Sequence, residues 1–517
     1  MKTILTIALI ITSLLFAFAQ NSGDLDLSFN GTGIVQDSSV LGITSKSIKV
    51  KQLANNQILV LGERKGVGIL PLNKGNNATI IRLNVDGSSD LTFGNNGSVV
   101  IDHSYSDAFN NWQRSDEEAM GFEVMPNANI LVLCNSVING DDHVSLTMLK
   151  SNGEVDTTWG YDGKFFYPSS TKFQALSIQS NAKILIAGHT STGGDQMTVA
   201  RINANGLTFD SSFNLSGLRK IVIEPTSGAI SVSNIIIRNN GNIVAVGRTG
   251  SGKGFTYELL PNGNDHPTRW SLSNSISIND LATYYDAFEI DSVQIAFCGA
   301  SGINQITTGS APIGRIRANG KTGFYPNNYD IQKYYAMDNN ASKIIVAGSV
   351  TDFNDKMILF KSVKYDFSGQ LKIERDSSFA NNGDRLIDLN ISPNIEEVIN
   401  DVIYQNDGKV LGVGHIYNPS NQIYESVMVR LHTSQSVGVN NVSSINSFKV
   451  YPNPTNSALT LITNEPLIEV LIYDLKGLLV SKYSGETTIN VSNLSSGLYH
   501  IVVLTKSNRY NSNFIKQ

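Results

Sequence analysis

One short pattern recurs along most of this chain: an apolar strand that ends in glycine. Its copies are Ile58-Leu-Val-Leu-Gly62, Ile130-Leu-Val-Leu-Cys134, Ile184-Leu-Ile-Ala-Gly188, Ile243-Val-Ala-Val-Gly247, Ile295-Ala-Phe-Cys-Gly299, Ile344-Ile-Val-Ala-Gly348 and Val410-Leu-Gly-Val-Gly414. The interval between their last residues runs from 49 (Gly299 to Gly348) to 72 (Gly62 to Cys134). A period of that size marks stacked supersecondary units, none of which can bury both its faces alone.

The third copy shows the plan of one unit. Ala175 to Gln179 alternates, Ser180-Asn181-Ala182 turns, and Lys183 to Gly188 is a continuously apolar strand. Met197 to Asn203 forms another strand, Asn205-Gly206 turns, and Asp210-Ser-Ser-Phe213 opens a fourth strand towards Val222. Four short strands joined by Asn/Asp-Gly turns describe an antiparallel blade. The same turns stand at Asp86-Gly87, Asn152-Gly153 and Asn406-Asp407-Gly408. They predict type I′ geometry, with positive φ at both central residues.

A tail of the form Asp-x-x-Phe/Trp follows most copies: Asp90 to Phe93, Asp156 to Trp159, Asp210 to Phe213 and Asp376 to Phe379. Decayed versions lie around Trp270 and Phe324. The seventh copy has none, because Val429-Arg-Leu-His432 runs into a Ser/Val/Asn stretch. The missing tail stands early in the chain, as Asp26-Leu-Ser-Phe29-Asn-Gly31. A solenoid would need caps. A leftover at one end and a gap at the other predict a ring in which an early strand completes the last unit and leaves no open sheet edge. The expected fold is all-β: a seven-bladed β-propeller over residues 20–432.

Met1-Lys2, an apolar run from Ile4 to Phe18 and the end Ala17-Phe18-Ala19 have the layout of a cleaved signal peptide, residues 1–19. The run is too short for a transmembrane anchor. Charged residues make up only 16% and the net charge is −5, which argues against a nucleic-acid partner and a polybasic membrane patch. Two cysteines exclude a disulfide scaffold and a cysteine-based zinc site. Residues 433–447 are small and polar and read as a linker. Residues 448–517 carry short alternating runs (Leu459 to Thr463, Val470 to Asp474, Gly477 to Tyr483, Leu498 to Thr505) that predict a small Ig-like β-sandwich.

Two resemblances sit on these segments. Gly23-Asp-Leu-Asp-Leu-Ser-Phe29-Asn-Gly31, Arg82-Leu-Asn-Val-Asp-Gly87 and Gln405-Asn-Asp-Gly-Lys-Val-Leu-Gly-Val-Gly414 resemble the bacterial delta-60 repeat of secreted, propeller-like arrays, departing at Cys134 and in the fourth and fifth tails. Tyr451-Pro452-Asn453-Pro454, then Ile472-Tyr473-Asp474-Leu-Lys-Gly477 and Leu494-Ser-Ser-Gly497-Leu-Tyr499, resemble the C-terminal sorting domain (type A) of type IX secretion cargo. That resemblance implies export from a diderm bacterium to the cell surface or medium. It also implies the type IX machinery as partner of residues 448–517.

Chemistry is sparser. Gly247-Arg-Thr-Gly-Ser-Gly-Lys253-Gly254 imitates a P-loop but has Gly254 where Ser/Thr would hold Mg²⁺, and a strand follows, so a hairpin turn is expected. His189 and His415 follow the repeat glycine, where other copies have Glu63, Asn135, Arg248, Ala300 and Ser349. This reads as a variable polar strand end, not a metal site. Asp141-Asp142-His143 lacks a second ligand group at fixed spacing, and no cofactor or metal is expected. Cys134 and Cys298 fall in different units and are expected as buried free thiols. The insertion from Asp102 to Glu118 combines aromatics, carboxylates and amides. Tyr105, Asp107, Trp112 and Arg114 are the ligand-binding candidates, suited to a glycan or peptide. The expected function is a secreted or cell-surface binding or structural protein. The alternative is an extracellular hydrolase or lyase acting on a polysaccharide or peptide in the propeller funnel, resting on spare carboxylates such as Asp107 and Glu117, with Asp107 and Asp116 as a conceivable acid/base pair.

Overall fold

A computed structural model describes residues 21–517 except 37–44, 66–75, 107–111, 114, 139, 191–195, 224–229, 273–281, 293, 302–312, 318–321, 325–330, 341–342, 353–354, 367–371, 390–394, 419–422, 434–448, 464–465, 475–478 and 506–508. The chain divides into two compact units, Met1–Gly438 and Val439–Gln517. Among the described residues there are strands and turns and no helix.

In the first unit the described strands form the blades of a β-propeller: five separate four-stranded antiparallel sheets and one nine-stranded sheet that combines a five-stranded and a four-stranded group, besides a two-stranded hairpin. Their first, inner strands are Ser45–Gln52, Ser115–Val124, Thr171–Ile178, Ser231–Ile237, Ala282–Asp291, Ile331–Asn340 and Glu396–Tyr404. Five blades are separate sheets, and the last two share one parallel bridge, Lys356 to Glu396. The strand Ile34–Gln36 completes the last blade, pairing antiparallel with Ile423–Leu431 in the register Ile34 to Val429.

The repeat strand lies second in each blade and is apolar on both faces because both are covered. Ile58 and Val60 pack towards Leu411, Val413 and Met428 of the seventh blade, while Leu59 and Leu61 pack towards Ala119 and Phe122 of the second. Ile184 and Ile186 face the second blade, Leu185 and Ala187 the fourth. Further clusters follow between the fourth and fifth, fifth and sixth, and sixth and seventh blades. Each fully buried Leu or Ile contributes roughly 1.5–3 kcal/mol. These clusters therefore hold the blades together.

Every inner strand carries a bulge opposite the end of the repeat strand, as between Phe173 and Ala175 opposite Gly188, or Ile399 and Asp401 opposite Gly414. The bulge swings a carbonyl inward, so a Cβ on Gly188 would lie 1.9 Å from the Lys172 oxygen and one on Gly414 1.8 Å from that of Val398. That contact explains the repeat glycine in the third to seventh blades, whereas the second accommodates Cys134 opposite its own bulge.

The turns differ from the expected type I′. Only one residue per turn has positive φ (Gly87 at 85°, Gly153 at 91°, Ala182 at 61°), while the preceding Asp or Asn does not. That residue acts through its side chain: Asp86 Oδ1 accepts from Ser88 N (3.0 Å) and Asn152 Oδ1 from Glu154 N (3.1 Å). A type I turn followed by one left-handed residue satisfies the hairpin, and Asn/Asp caps it from within. The Asp-x-x-Phe tail is likewise a turn preceding the fourth strand, as Asp210–Phe213 precedes Leu218–Ile221.

The second unit has two sheets. Lys449–Tyr451, Ala458–Ile462 and Thr488–Asn490 form one, and Leu479–Tyr483, Leu467–Tyr473, Gly497–Thr505 and Arg509–Lys516 the other. Leu459, Leu461 and Ile489 from the first pack with Val470, Ile472, Ile501, Val503 and Phe514 from the second.

Candidate functional site

The blades have two unlike ends. At the turn end the same residues do the same work in several blades. Asp90 Oδ2 accepts from Arg82 Nε (2.6 Å), Asp210 Oδ2 from Arg201 Nε (2.7 Å) and Asp26 Oδ2 from Arg430 Nε (2.6 Å). Each guanidinium also lies over the ring of its tail, 4.6 Å from Phe93, 4.8 Å from Phe213 and 4.5 Å from Phe29. Each reaches a carbonyl of the next blade's turn: Ser151, Pro261 and Val85. In the seventh and third blades the ring then rests on that turn's glycine: a Cβ on Gly87 would lie 2.7 Å from Phe29 and one on Gly263 2.8 Å from Phe213. This lock joins neighbouring blades. The arginine was missed in the sequence, although it stands five residues before the turn glycine in Arg82 and Arg201.

Across the ring seam the lock is completed by the early segment. Gly23 N donates to His432 O (2.6 Å) and His432 N to Asp24 O (2.9 Å), and Ala380 N donates to Ser22 O (2.7 Å) as Gly94 N does to Asn152 O (2.8 Å) in an ordinary blade. Burial alone would raise the Asp26 pKa, but His432, Ser28, Arg430 and Lys409 around it hold the carboxyl far below the usual range. Asp376 is likewise held down at about 2: burial is outweighed by Lys343 and Ser378.

At the other end the residues differ from blade to blade. Glu63 Oε1 accepts from Ala119 N (3.0 Å), Asn135 brackets Phe173 by accepting from its N–H and donating to its carbonyl (3.0 Å each), and Gln174 Oε1 accepts from Val232 N (3.1 Å) beside His189. Asn400 donates to Ser47 O (2.7 Å) beside His415. The positions after the repeat glycine thus help pin the bulge of the next blade. Around the inner strands, Asp401 Oδ2 accepts from Val50 N (2.8 Å), Asp286 Oδ2 from Met337 N (2.9 Å) and Asp338 Oδ2 from Tyr404 N (2.7 Å). Burial pushes Asp286 up and Asp338 up to about 6. Lys49 is raised because the Asp401 and Asp286 charges outweigh its burial.

A cleft of about 270 Å³ opens at this end over the first three blades. Lys46 and Lys172 bring cations to it, Asp116, Glu118 and Asp142 carboxylates, and His143 an imidazole. Lys46 reaches Glu63 at 2.7 Å, and burial raises the Glu63 pKa against that pull. Such mixed charge suits a polar ligand held by several hydrogen bonds.

Of the sequence candidates, Tyr105 and Trp112 fall on a small hairpin, Tyr105–Ser106 paired with Trp112–Gln113, that feeds the second inner strand. Asp107 and Arg114 lie outside the described residues. Asp116 lines the cleft and accepts from Asn76 N. Glu117 points the other way, fully buried, 3.4 Å from His103 Nδ1, and His103 Nε2 meets Thr147 Oγ1 at 3.0 Å. The period-two alternation of a strand separates Asp116 and Glu118 from Glu117. Cys134 and Cys298 are buried free thiols, pushed up by burial. Gly247 to Gly254 is a hairpin turn between the strands Ile243–Arg248 and Gly254–Leu259. Among the described residues no three His, Cys, Asp or Glu side chains converge as metal ligands.

In the second unit Tyr451, Pro452, Asn453 and Pro454 are exposed, and Asn453 Oδ1 accepts from Ile515 N (2.9 Å). Tyr499, beside Gly497, donates to Ser495 O (2.9 Å) and stacks on Phe514. Tyr473 ends the strand Leu467–Tyr473 and Asp474 follows it, and Gly477 lies outside the described residues.

Residues 449–517 match the family described as secretion system C-terminal sorting domain, and residues 179–213 match a β-propeller family described as a domain of unknown function, DUF5122. No curated protein matches the chain in sequence. Among solved structures it is similar to the NanB sialidase of Streptococcus pneumoniae (TM-score 0.39, 9% identity, 77% of this chain and 70% of that one). It is also similar to the β-propeller domain of the Trilobed protease of Pyrococcus furiosus (0.38, 8%, 75% and 95%) and to the WD40 domain of SCAP from fission yeast (0.38, 10%, 86% and 95%). The chain is a β-propeller protein with a type IX secretion sorting tail, the mark of export to the cell surface or the extracellular space.

Proposed function

We propose that this protein is an extracellular binding module: a closed ring of seven blades spanning residues 20–432, delivered by a signal peptide (residues 1–19) and by the type IX machinery acting on residues 448–517. Residues 433–447 form the tether between ring and handle. Its ligand is a glycan or peptide bound in the cleft over the first three blades, with Tyr105, Asp107, Trp112 and Arg114 on the adjoining insertion. The observation that carries this reading is the polar cleft, whose Lys46, Lys172, Asp116 and Glu118 crowd one end of the blades. The hydrolase reading loses one of its carboxylates, because Glu117 is buried against His103 and does not line the cleft.

The test is binding of the secreted protein to glycan and peptide arrays, repeated with Y105A/W112A and with E118Q. Loss of a specific signal in both variants is expected. A signal indifferent to both would remove the cleft as the site. Intact mass of the native product starting at Gln20 and ending within 433–447 would establish the processing route.

A further inference from the structure

We infer that the turn end of the second blade is a receptor for the side chain of an arginine supplied by an extracellular peptide or protein. The argument comes from the repeat itself. Two backbone bonds define one position in each lock: Arg82 N donates to Gly97 O and Arg82 O accepts from Asp90 N, and Arg201 and Arg430 do the same with Gly217 and Asp210, and with Gly33 and Asp26. In the second blade the same two bonds, from Met148 N to Gly163 O and from Asp156 N to Met148 O, place a methionine there. The rest of the arginine's surroundings is kept: Asp156 for Asp90, Thr158 for Thr92, Trp159 for Phe93 and Ala204 for Ser151.

A cavity of about 380 Å³ stands at this position, lined by Met125, Met148, Asp156, Thr158, Trp159 and Ala204 among others. The exposed Pro126 and Asn127 at its rim open it to solvent. The carboxylate's company also differs. Asp26 meets Arg430 and Lys409, Asp90 meets Arg82, Asp210 meets Arg201 and Lys183, and Asp376 meets Lys343 and Lys364. Among the described residues Asp156 has no ion pair; its side-chain partners are Asn129 Nδ2 (2.8 Å) and Thr158. Lys150 helps to lower its pKa but pairs with Glu154 (3.4 Å).

The indole N–H of Trp159 takes the Ala204 carbonyl (2.8 Å), the place that Arg NH1 takes in the other locks. An incoming guanidinium is therefore held by the Asp156 carboxylate and the indole face, the strongest of the aromatic partners for a cation. The planar fork of arginine fits this better than an ammonium.

The experiment is isothermal titration of the full chain with N-acetyl-arginine amide and with its citrulline counterpart, which has the same shape without the charge. One-site binding of the arginine probe at millimolar or lower concentration is expected, with citrulline at least about tenfold weaker. D156N should cost the arginine probe a similar factor. Because Asp156 also braces its own turn, M148R provides the independent arm: the chain then supplies its own arginine, so probe binding should vanish and Tm should rise. No heat with millimolar arginine probe, equal binding of citrulline, unchanged binding in M148R, or a lower Tm for M148R would each overturn the assignment.

Discussion

The turn end and the loop end of the blades solve one problem, joining a blade to its neighbour, in opposite ways. At the turn end Arg, Asp and aromatic ring recur with the same contacts in the first, third and seventh blades. At the loop end Glu63, Asn135, Gln174 beside His189 and Asn400 beside His415 brace the neighbouring inner strands by four different side-chain arrangements. Repetition at one end holds the ring, which leaves the other free to vary its side chains. The polar cleft lies at the variable end.

The largest break should come from the seam. Arg430 and Asp26 are both almost fully buried, and they join two segments 404 residues apart. R430A would leave a buried carboxylate without its main partner, at a cost of about 3–5 kcal/mol. Thermal or urea unfolding would read it. A loss below that of the loop-end change N135A would show that the turn end does not dominate. Next come G188A and G414A, whose Cβ would press on a backbone carbonyl at 1.9 and 1.8 Å, at a cost of about 1–3 kcal/mol. N135A removes both bonds to the Phe173 backbone and should cost about 1–3 kcal/mol.

Acid separates two buried carboxyl groups of the ring, because they titrate with opposite sign. Asp376 at the turn end is depressed to about 2, so its stabilisation is present above its usual value near 3.8 and is lost as pH falls towards 2. Asp338 near the inner strands is raised to about 6, so the folded state takes up its proton first and gains stability as pH falls from about 6 to 4. Stability against pH should therefore rise between pH 7 and 5 and drop below 4. D338N should flatten the upper limb and leave the lower. The smallest stability effects belong to the cleft: E118Q and K172A should stay within about 0.5 kcal/mol, while changing ligand binding.

Much of the frame was legible in residues alone. The apolar run ending in glycine marked each two-sided central strand, and the displaced Asp26 to Phe29 tail indicated that an early strand would complete the last blade. The turn type was misread, because Asn-Gly and Asp-Gly serve both type I′ turns and type I turns closed by one left-handed residue. Positive φ at Gly87 alone, with Ser88 N donating to Asp86 Oδ1, distinguishes them. Glu117 was misplaced for another reason: an insertion of mixed composition does not show in advance that its last residues already belong to a strand, which alternates Asp116, Glu117 and Glu118 between cleft and core.

Periodicity, turn residues and the order of tails determined by themselves that this chain is all-β, repetitive and closed by its own early segment, since these are local signals that each unit states again. Which side chains meet was decided only by the tertiary structure. Arg430 finds Asp26 across 404 residues of chain, Met148 leaves a cavity beside Asp156, and His103 lies against Glu117, because side-chain contacts follow from how the strands pack and not from the local pattern that builds them.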